Sequence, residues 1–487
     1  MLLAVALLAC SLSATRPTCR VQDAAPAAPP AAAPEVTTPS APLDGGARNL
    51  VVVTIDTVRA DRLGCYGYFR DTSPRLDRFA AESLRFTRCL TPVAQTTPSH
   101  WSLFTGVTPH EHQVLTNFSG GGTRAGGVKG RKSVATLRLL AERMRERGVK
   151  TGGFVASAPT KAKTGLAAGF DTFTEPDEMR RLGQSVVADA LAFVDGCGDA
   201  PFFAWLHLFD AHEPLKPPYL PTDYMDRYVE DDALRGWLRE RDFPAAITAL
   251  AKRGISVAEV NNHYDSALRH LDDQLTRLLD RLDRSPLRES TAVVIVADHG
   301  TAAGQRDHMG HGMCWDEQLR VPLLIRVPGI EPRVIDTPCS MLDLWPTVFG
   351  LAPTLADADF ATQCRGSDVL AADHVERPVF SMGAKPNYDS MTTRRWKLLR
   401  DPDGVRLFDL ESDPHEAKDV AADHPEVVTR LKAALVAEVA RHKKAGQLHQ
   451  RAGADGVLDP KLVEELRALG YTEDDPSGGG AVGDDDS

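Results

Sequence analysis

Three features are missing from this 487-residue sequence, and each absence excludes a class of protein. It has no run of lysines and arginines, and its formal net charge is −11, so nothing in it predicts a nucleic-acid-binding surface. Its eight cysteines include no CxxC pair, which argues against a structural zinc site or a dithiol redox motif. The glycine-rich stretch Ser119–Lys132 follows a predicted helix and lacks the Gly-Lys-Ser/Thr ending of a phosphate-binding loop.

The N-terminus also lacks a hydrophobic run long enough to cross a bilayer. Residues 1–23 instead read as an export signal, although the usual positively charged start is missing. Leu7–Cys10 resembles a bacterial lipobox, in which Cys10 would carry a lipid and attach the protein to a membrane. Plain secretion with a later cleavage, or a wrongly assigned start codon, are the alternatives. We therefore expect an exported protein, periplasmic or at the cell surface.

Composition divides the rest of the chain into four further segments. Residues 24–48 are rich in alanine and proline and predict a spacer. Residues 473–487 carry six carboxylates and no basic residue, as expected of a solvated, disordered tail. Between them we expect a catalytic domain over 49–376 and a smaller subdomain over 377–472. In an exported protein some cysteines could pair, but the sequence does not determine which.

The segment 49–376 alternates apolar, β-branched runs with amphipathic ones. This alternation is typical of an α/β fold with an open, mostly parallel sheet flanked by helices. Beyond residue 377, short strand patterns separated by turns precede a helical pattern, which predicts a C-terminal α+β subdomain with an antiparallel sheet. The main predicted strands are Leu50–Ile55, Lys150–Ala156, Phe202–Leu208, Thr291–Ala297 and Val321–Val327, and the main helices are Pro74–Leu84, Ser133–Arg147, Arg181–Val194, Val257–Leu282 and Pro425–Lys443.

Polar side chains follow three of the predicted strands. Asp56 follows the first, Asp210 and His212 follow Phe202–Leu208, and Asp298 and His299 follow Thr291–Ala297. Ligands of open α/β sheets bind beyond the carboxyl ends of the strands. The sequence therefore predicts one site to which these side chains contribute.

The stretch TTPSHWSLFTG supplies a hydroxyl for that site. Pro98 suits the first position of a helix, with Thr96 or Thr97 as its cap. The start of a helix attracts anions, so the Thr96 hydroxyl would meet an incoming anion. Such a start is also an ordinary structural feature, so its role depends on the residues around it.

Two carboxylates, one imidazole and one hydroxyl make a plausible site for a hard metal ion: Asp56, Asp298, His299 and Thr96. Metal coordination is one of the few ways to make a threonine hydroxyl nucleophilic near neutral pH. His212 and His311 could then protonate a leaving group or neutralise an anion. A purely structural Asp–His hydrogen bond at a strand end is the alternative.

Several segments, in this order, resemble the sulfatase family of the alkaline phosphatase superfamily. They are NLVVVTIDTVRADRLGCYGY, TTPSHWSLFTG, HLFDAHEPLKPP, VADHG, GHG with LRVPLLIRVPG, RRWKLLRDPDGVRLFDLESDP and ELRALGY. The resemblance extends from Asn49 to Tyr471. It implies a sulfatase-like sheet flanked by helices and a divalent metal ion.

The resemblance also implies roles for individual residues. Thr96 occupies the position of the nucleophile, which the family fills with a cysteine or serine matured to formylglycine. Asp56, Asp298 and His299 match metal ligands, His212 matches the active-site histidine, and His311 matches a basic residue. His100 replaces the arginine of the family's CxPSR motif, so we include it among the candidate catalytic residues.

Departures from the family pattern bear on the chemistry. Thr96 cannot become formylglycine, which requires a primary carbon, so no formylglycine is expected. Thr57 replaces a second aspartate, and His299 stands where many sulfatases have asparagine. We expect one divalent ion (Ca²⁺, Mn²⁺ or Zn²⁺), and the exchange of a carboxylate for an imidazole favours manganese or zinc. The spacing of Asp210 and His212 differs from the DxxxH of related diesterases and argues against a full two-metal site.

The leading interpretation is an exported, metal-dependent hydrolase of sulfate or phosphate esters with Thr96 as nucleophile. Its substrate would be an anionic ester, with a glycan or a lipid head group as the carrier. One alternative is a transferase that moves a phospho-substituent to a surface glycan. The other is a binding protein that has kept the fold and lost turnover.

Overall fold

The computed structural model describes residues 46–117, 137–212, 220–230, 256–385 and 387–449. The expected export signal with Cys10, most of the expected spacer and the acidic tail lie outside these residues. Strands β1 to β15 span, in chain order, Asn49–Ile55, Leu84–Leu90, Lys150–Val155, Thr172–Thr174, Phe202–Leu208, Thr291–Ala297, Ala302–Ala303, Met309–Gly310, Arg320–Arg326, Arg333–Ile335, Cys339–Ser340, Val379–Met382, Asp389–Thr392, Trp396–Asp401 and Gly404–Asp409.

The strands are accompanied by eleven α-helices in the described residues. None of those in the described ranges is long and apolar enough to span a membrane. Helices α1 to α11 span, in chain order, Pro74–Ala81, Thr96–Thr105, Pro109–His112, Leu140–Glu146, Gly183–Cys197, Thr222–Tyr228, Val257–Asp283, Asp316–Leu319, Leu344–Leu351, Ala358–Gln363 and Pro425–His449.

A nine-stranded sheet forms the centre of the fold, in the order β10-β2-β9-β6-β1-β5-β3-β4, with β11 also paired to β2. The middle of the sheet is parallel: β1 pairs with β5 and β6, and β5 pairs with β3. Every residue of β1, β5 and β6 is buried, which explains their continuous apolar sequences. The predicted mostly parallel α/β sheet is confirmed, with β9 running antiparallel to both of its neighbours.

Helix α7 covers the sheet along 27 residues. It begins after Ser256, whose hydroxyl accepts the backbone N–H of Glu259. Its buried residues recur three or four positions apart, from Val260 through Leu268 and Leu275 to Leu282. The predicted helix is therefore present with almost the predicted bounds.

Three predicted helices begin elsewhere than expected, and one of them, Arg181–Val194, is found as Gly183–Cys197. The pattern over Ser133–Arg147 yields helix only from Leu140 among the described residues, because Leu139 is extended and its N–H donates to the Glu142 carboxylate. Helix α2 begins at Thr96, not at Pro98. The expected threonine cap is wrong as well, since Gln95 occupies the cap position and the Thr97 N–H donates to Asn117 Oδ1 at 2.8 Å.

A second, four-stranded antiparallel sheet follows in the C-terminal part, in the order β12-β13-β14-β15. Helix α11 packs on it, with Leu431 and Leu435 buried among the apolar side chains of the strands. The predicted small antiparallel sheet is thus present. The exact boundary at 376/377 stays a prediction.

Candidate active site

The carboxyl ends of β1 and β6 bring two aspartates together. Ile55 lies opposite Ala297 in the parallel ladder, so the residues that follow, Asp56 and Asp298, leave the sheet side by side. The Asp56 N–H continues the ladder by donating to Leu208 O at 2.9 Å. Both side chains are buried. Their placement at adjacent strand ends is the one expected from the sequence.

Asp298 uses only one of its carboxylate oxygens for backbone contacts. Oδ1 accepts the N–H groups of Thr57 at 3.3 Å and His299 at 2.8 Å. Oδ2 is buried, and no described donor forms a hydrogen bond with it. Burial, reinforced by the neighbouring Asp56 charge, raises the pKa of Asp298 to about 7. An unpaired buried oxygen of this kind is costly unless a cation completes the site.

His299 aims a lone pair at the two carboxylates. Its Nδ1 donates to Gly300 O at 2.9 Å, so in the neutral ring Nε2 is the unprotonated nitrogen. Nε2 lies 3.5 Å from Asp298 Oδ2 and 4.0 Å from Asp56 Oδ1. Burial lowers the pKa of His299 to about 4, which keeps the lone pair available. Gly300 permits this turn, because a Cβ there would lie 2.2 Å from Glu317 O.

Thr96 is the first residue of α2, and its Oγ1 lies 3.3 Å from His299 Nε2. Two side chains hold the helix in this position. The Ser99 hydroxyl donates to Asp298 O, and the Thr97 hydroxyl donates to Pro159 O, both at 2.7 Å. The helix that carries the candidate nucleophile is therefore bonded directly to the strand end that carries a candidate ligand.

We call Asp56, Asp298 and His299 the outer triplet. Their ligand-type atoms lie within 4.8 Å of one another, and all three residues are buried. Two carboxylates and a neutral imidazole lone pair fit a divalent cation, and Asp298 Oδ2 supplies an oxygen that no protein donor uses. Thr57, which replaces a second aspartate of the family pattern, offers no carboxylate oxygen. Its hydroxyl donates to Asp56 O at 2.7 Å.

A second set of histidine and aspartate atoms lies behind the first, and we call it the inner triplet: His100, His207 and Asp298. Both ring nitrogens of His100 are used inside the protein. Nδ1 donates to Thr96 O at 2.7 Å, and Nε2 lies 2.9 Å from Thr54 Oγ1. His207 Nε2 lies 3.1 Å from Asp56 Oδ2. Within the inner triplet, His207 is therefore bonded to Asp56 of the outer triplet, and His100 is bonded to the backbone of Thr96 and to Thr54.

His311 and His212 extend the site beyond His299 of the outer triplet. The His311 ring centroid lies 4.2 Å from that of His299 and 5.7 Å from that of His212. His212 stacks on Phe209, with ring centroids 4.2 Å apart. Burial and the neighbouring imidazoles lower the pKa of both histidines well below its usual value. His311 is only half-buried, so this side of the site meets solvent.

This arrangement of a hydroxyl beside two strand-end aspartates lies within a segment that matches a known family. The model of the sulfatase family matches residues 48–354, well over half of the chain. The chain belongs to the sulfatase family. It is accordingly a hydrolase of the kind that acts on sulfate and related esters, and the predicted sulfatase-like fold is confirmed.

Several relatives of this sulfatase-family chain match it over most of its length. It is 27% identical over 458 residues to arylsulfatase A of Homo sapiens, covering 86% of each chain. It is 24% identical over 414 residues to the ulvan-active sulfatase of Formosa agariphila, covering 76% of each. The solved structure of a phosphonate monoester hydrolase of Agrobacterium radiobacter superposes with a TM-score of 0.59 at 17% identity, covering 81% of this chain and 96% of that one.

Two residues of the site differ from what the sequence suggested. His207 was not among the predicted residues, although it is the one imidazole inside the apolar strand β5 and lies opposite Thr54 in the ladder. Asp210, considered as part of a second metal site, instead faces the start of α5, where a Cβ on Gly183 would lie 2.3 Å from its Oδ2. Burial raises the pKa of Asp210 to about 6.

Proposed function

We propose that this protein is a metal-dependent hydrolase of sulfate or phosphate esters that uses Thr96 as its nucleophile. One observation carries the proposal: Thr96 Oγ1 lies 3.3 Å from His299 Nε2, at the edge of the outer triplet. A metal held by that triplet would have the threonine oxygen within its reach. The start of α2 also favours negative charge at Thr96.

Asp56, Asp298 and His299 would hold the ion. When bound, a divalent ion supplies Lewis acidity, which favours the alkoxide form of a hydroxyl and stabilises charge on a non-bridging oxygen. The mixed set of two carboxylates and one imidazole favours Mn²⁺ or Zn²⁺ over Ca²⁺, which prefers six to eight oxygen ligands.

In the first step, Thr96 Oγ1 attacks the sulfur or phosphorus atom of the ester. The bond between Oγ1 and that atom forms, and the bond to the leaving oxygen breaks. His311 donates its Nδ1 hydrogen to Ala94 O at 2.9 Å, so Nε2 is the ring atom that can take up the Thr96 proton. His311, or His212 beside it, then delivers a proton to the leaving oxygen, which departs as an alcohol.

In the second step, water must attack sulfur or phosphorus, because a threonine ester has no second hydroxyl that could expel the group. The bond to Oγ1 breaks, Thr96 regains its proton, and sulfate or phosphate departs. His100 supports this chemistry through the backbone, since its Nδ1 holds the Thr96 carbonyl. The two steps together consume one water and return the enzyme unchanged.

The substrate class we propose is an anionic ester carried by a glycan. The ulvan-active relative, an enzyme named for a sulfated polysaccharide, supports the glycan, and the phosphonate hydrolase with the same fold supports phosphorus as a second centre. Export of the protein, which the N-terminal pattern predicts, would place it where such polymers occur.

Hydrolysis of aryl sulfates, aryl phosphates and aryl phosphonates by protein loaded with Mn²⁺ or Zn²⁺ tests the proposal. We expect turnover of at least one class by the wild type, loss of that turnover in Thr96→Ala, and partial retention in Thr96→Ser, which keeps the hydroxyl. Rapid acid quench followed by mass spectrometry should find one sulfuryl or phosphoryl group on the peptide that contains Thr96.

Three other outcomes would contradict the proposal, and two of them would identify a different function. Full activity of Thr96→Ala would refute the nucleophile. Transfer of a phospho-substituent to a sugar acceptor without release of free phosphate would support the transferase. Tight metal binding without hydrolysis of any ester would support a binding protein that has lost turnover.

A further inference from the structure

His207 is a fully buried, polar residue in the middle of the apolar strand β5, and the proposed chemistry assigns it no part. Its ring is enclosed by other rings: His100 at 5.0 Å, Phe209 at 6.1 Å and Trp205 at 6.4 Å between centroids. An apolar ring could make such ring contacts but not the polar ones, since His207 Nδ1 also lies 3.5 Å from Thr160 Oγ1. The imidazole must therefore be explained by what its nitrogens contact.

The strand pairing places His207 beside Asp56. Thr54 lies directly opposite His207 in the parallel ladder. Asp56 is two residues further along the same strand direction, so it is on the same face and diagonal to His207. The result is a distance of 3.1 Å between His207 Nε2 and Asp56 Oδ2, with both residues buried.

The direction of this hydrogen bond follows from the acceptor. A carboxylate only accepts, so the single ring hydrogen of a neutral His207 is on Nε2 and is donated to Asp56 Oδ2. The other Asp56 oxygen, Oδ1, is the one that faces His299 Nε2, at 4.0 Å. The hydrogen bond that holds Oδ2 therefore leaves Oδ1 facing His299, the other side of the outer triplet.

We propose that His207 is a positioning residue for the metal: it fixes the Asp56 carboxylate so that Oδ1 points to the ion. The inference rests on the proposed function in one respect, that Asp56 is a metal ligand. Removal of a residue that hydrogen-bonds to a metal ligand typically weakens metal binding by about 10- to 100-fold.

The chain offers three informative substitutions of His207 and one matched control. His207→Leu removes the donor, His207→Asn is too short to reach Asp56, and His207→Gln keeps an N–H near the position of Nε2. His112 serves as the control, because it is equally buried and its Nε2 bonds to Ser102 Oγ at 2.9 Å, with no contact to the outer triplet.

Isothermal titration calorimetry with MnCl₂ and ZnCl₂ into chelator-treated full-length protein measures the effect directly. We expect His207→Leu to weaken the metal Kd by about 10- to 100-fold. His207→Gln should recover most of the loss, and His112→Asn should bind as the wild type does. If His207→Leu does not fold, His207→Asn takes its place with the same expectation.

The apoprotein melting temperature, measured with chelator present, separates positioning from packing. A purely structural role would lower it in His207→Leu and His112→Asn and leave the metal Kd unchanged in both. That result would overturn the inference and leave the proposed function intact. A wild type that binds neither ion would instead refute the proposed function, and the inference with it.

Discussion

The outer and the inner triplet are built from the same residue types and share Asp298, yet they differ in where their imidazole lone pairs point. In the outer triplet, the His299 ring gives its hydrogen to Gly300 O and turns its lone pair toward the carboxylates. In the inner triplet, His100 uses both nitrogens on Thr96 O and Thr54 Oγ1. Hydrogen-bond direction, and not residue type, thus distinguishes the candidate metal site from the residues that support it.

The comparison has a consequence for the number of metal ions. Donor atoms that already bond to the protein would have to give up those bonds to bind a metal, and a buried polar group left unpaired costs free energy. In the outer triplet, Asp298 Oδ2 accepts no hydrogen bond from a described donor, and His299 Nε2 would give up only its 3.3 Å contact with the Thr96 hydroxyl. We therefore expect one ion per chain.

The largest expected effect is that of Asp298→Asn, which removes the charge shared by both triplets. We expect metal binding to be lost and kcat/KM to fall by about 10³-fold, the scale on which one preorganised electrostatic contact acts. The metal-free variant should nevertheless melt at or above the temperature of the metal-free wild type, since it relieves two buried carboxylates of their repulsion. Calorimetry and kinetics on the same samples check both statements.

A matched control for that variant is Asp272→Asn. Asp272 is also buried, but its carboxylate accepts the N–H groups of Arg75 and Leu76 at the start of α1, each at 2.8 Å. Its substitution should leave the metal Kd unchanged. If Asp272→Asn and Asp298→Asn weaken metal binding equally, the loss has a general structural cause.

His100→Ala should act mainly on stability. It opens a space beside Phe104 and Trp205. It also removes one hydrogen-bond partner each from Thr96 O and from Thr54 Oγ1, which keeps Trp205 Nε1 at 3.0 Å. We expect the free energy of unfolding to fall by about 3 kcal/mol. The metal Kd should change far less than in Asp298→Asn, and a variant that kept its stability but lost metal would reverse the assignment of the two triplets.

Metal addition should stabilise the wild type and leave Asp298→Asn unaffected. At an ion concentration 100 times the Kd, the linkage predicts about 2.7 kcal/mol of added stability. Thermal melts with Mn²⁺, Zn²⁺ and Ca²⁺ at matched concentrations measure it. A larger gain with Ca²⁺ than with either other ion would contradict the preference derived from the imidazole ligand.

The smallest effect concerns the start of α2. Asn117→Ala removes the acceptor of the Thr97 N–H and should cost about 1 kcal/mol of stability, as other helix caps do. The metal Kd should stay within error of the wild type. Denaturant unfolding resolves a difference of this size, and no loss of stability would mean that another group caps the helix.

The elements that position the site were predictable because they are continuous and fully buried. The bounds of β5 and β6 agree with the sequence pattern, and the strand ends bring Asp56, Asp298 and His299 together as expected. The start of α2 was not predictable, because the acceptor of its Thr97 N–H is Asn117 Oδ1, which lies 20 residues further along the chain than Thr97.

His207 shows the second limit of sequence reasoning. A lone histidine in an apolar strand has no assignable partner until the strand register is known, and here the register places it beside Thr54 and diagonal to Asp56. The domain boundaries and the roles of the individual site residues stay predictions.

Elemental analysis of the purified protein, after dialysis against Mn²⁺ or Zn²⁺ and removal of loosely bound ions, tests the outer triplet as the metal site most directly. We predict one metal ion per chain in the wild type and in His100→Ala, which changes the inner triplet alone, and none in Asp298→Asn. Two ions per chain would show that the inner triplet also binds, and no retained ion, or full retention in Asp298→Asn, would contradict the site itself.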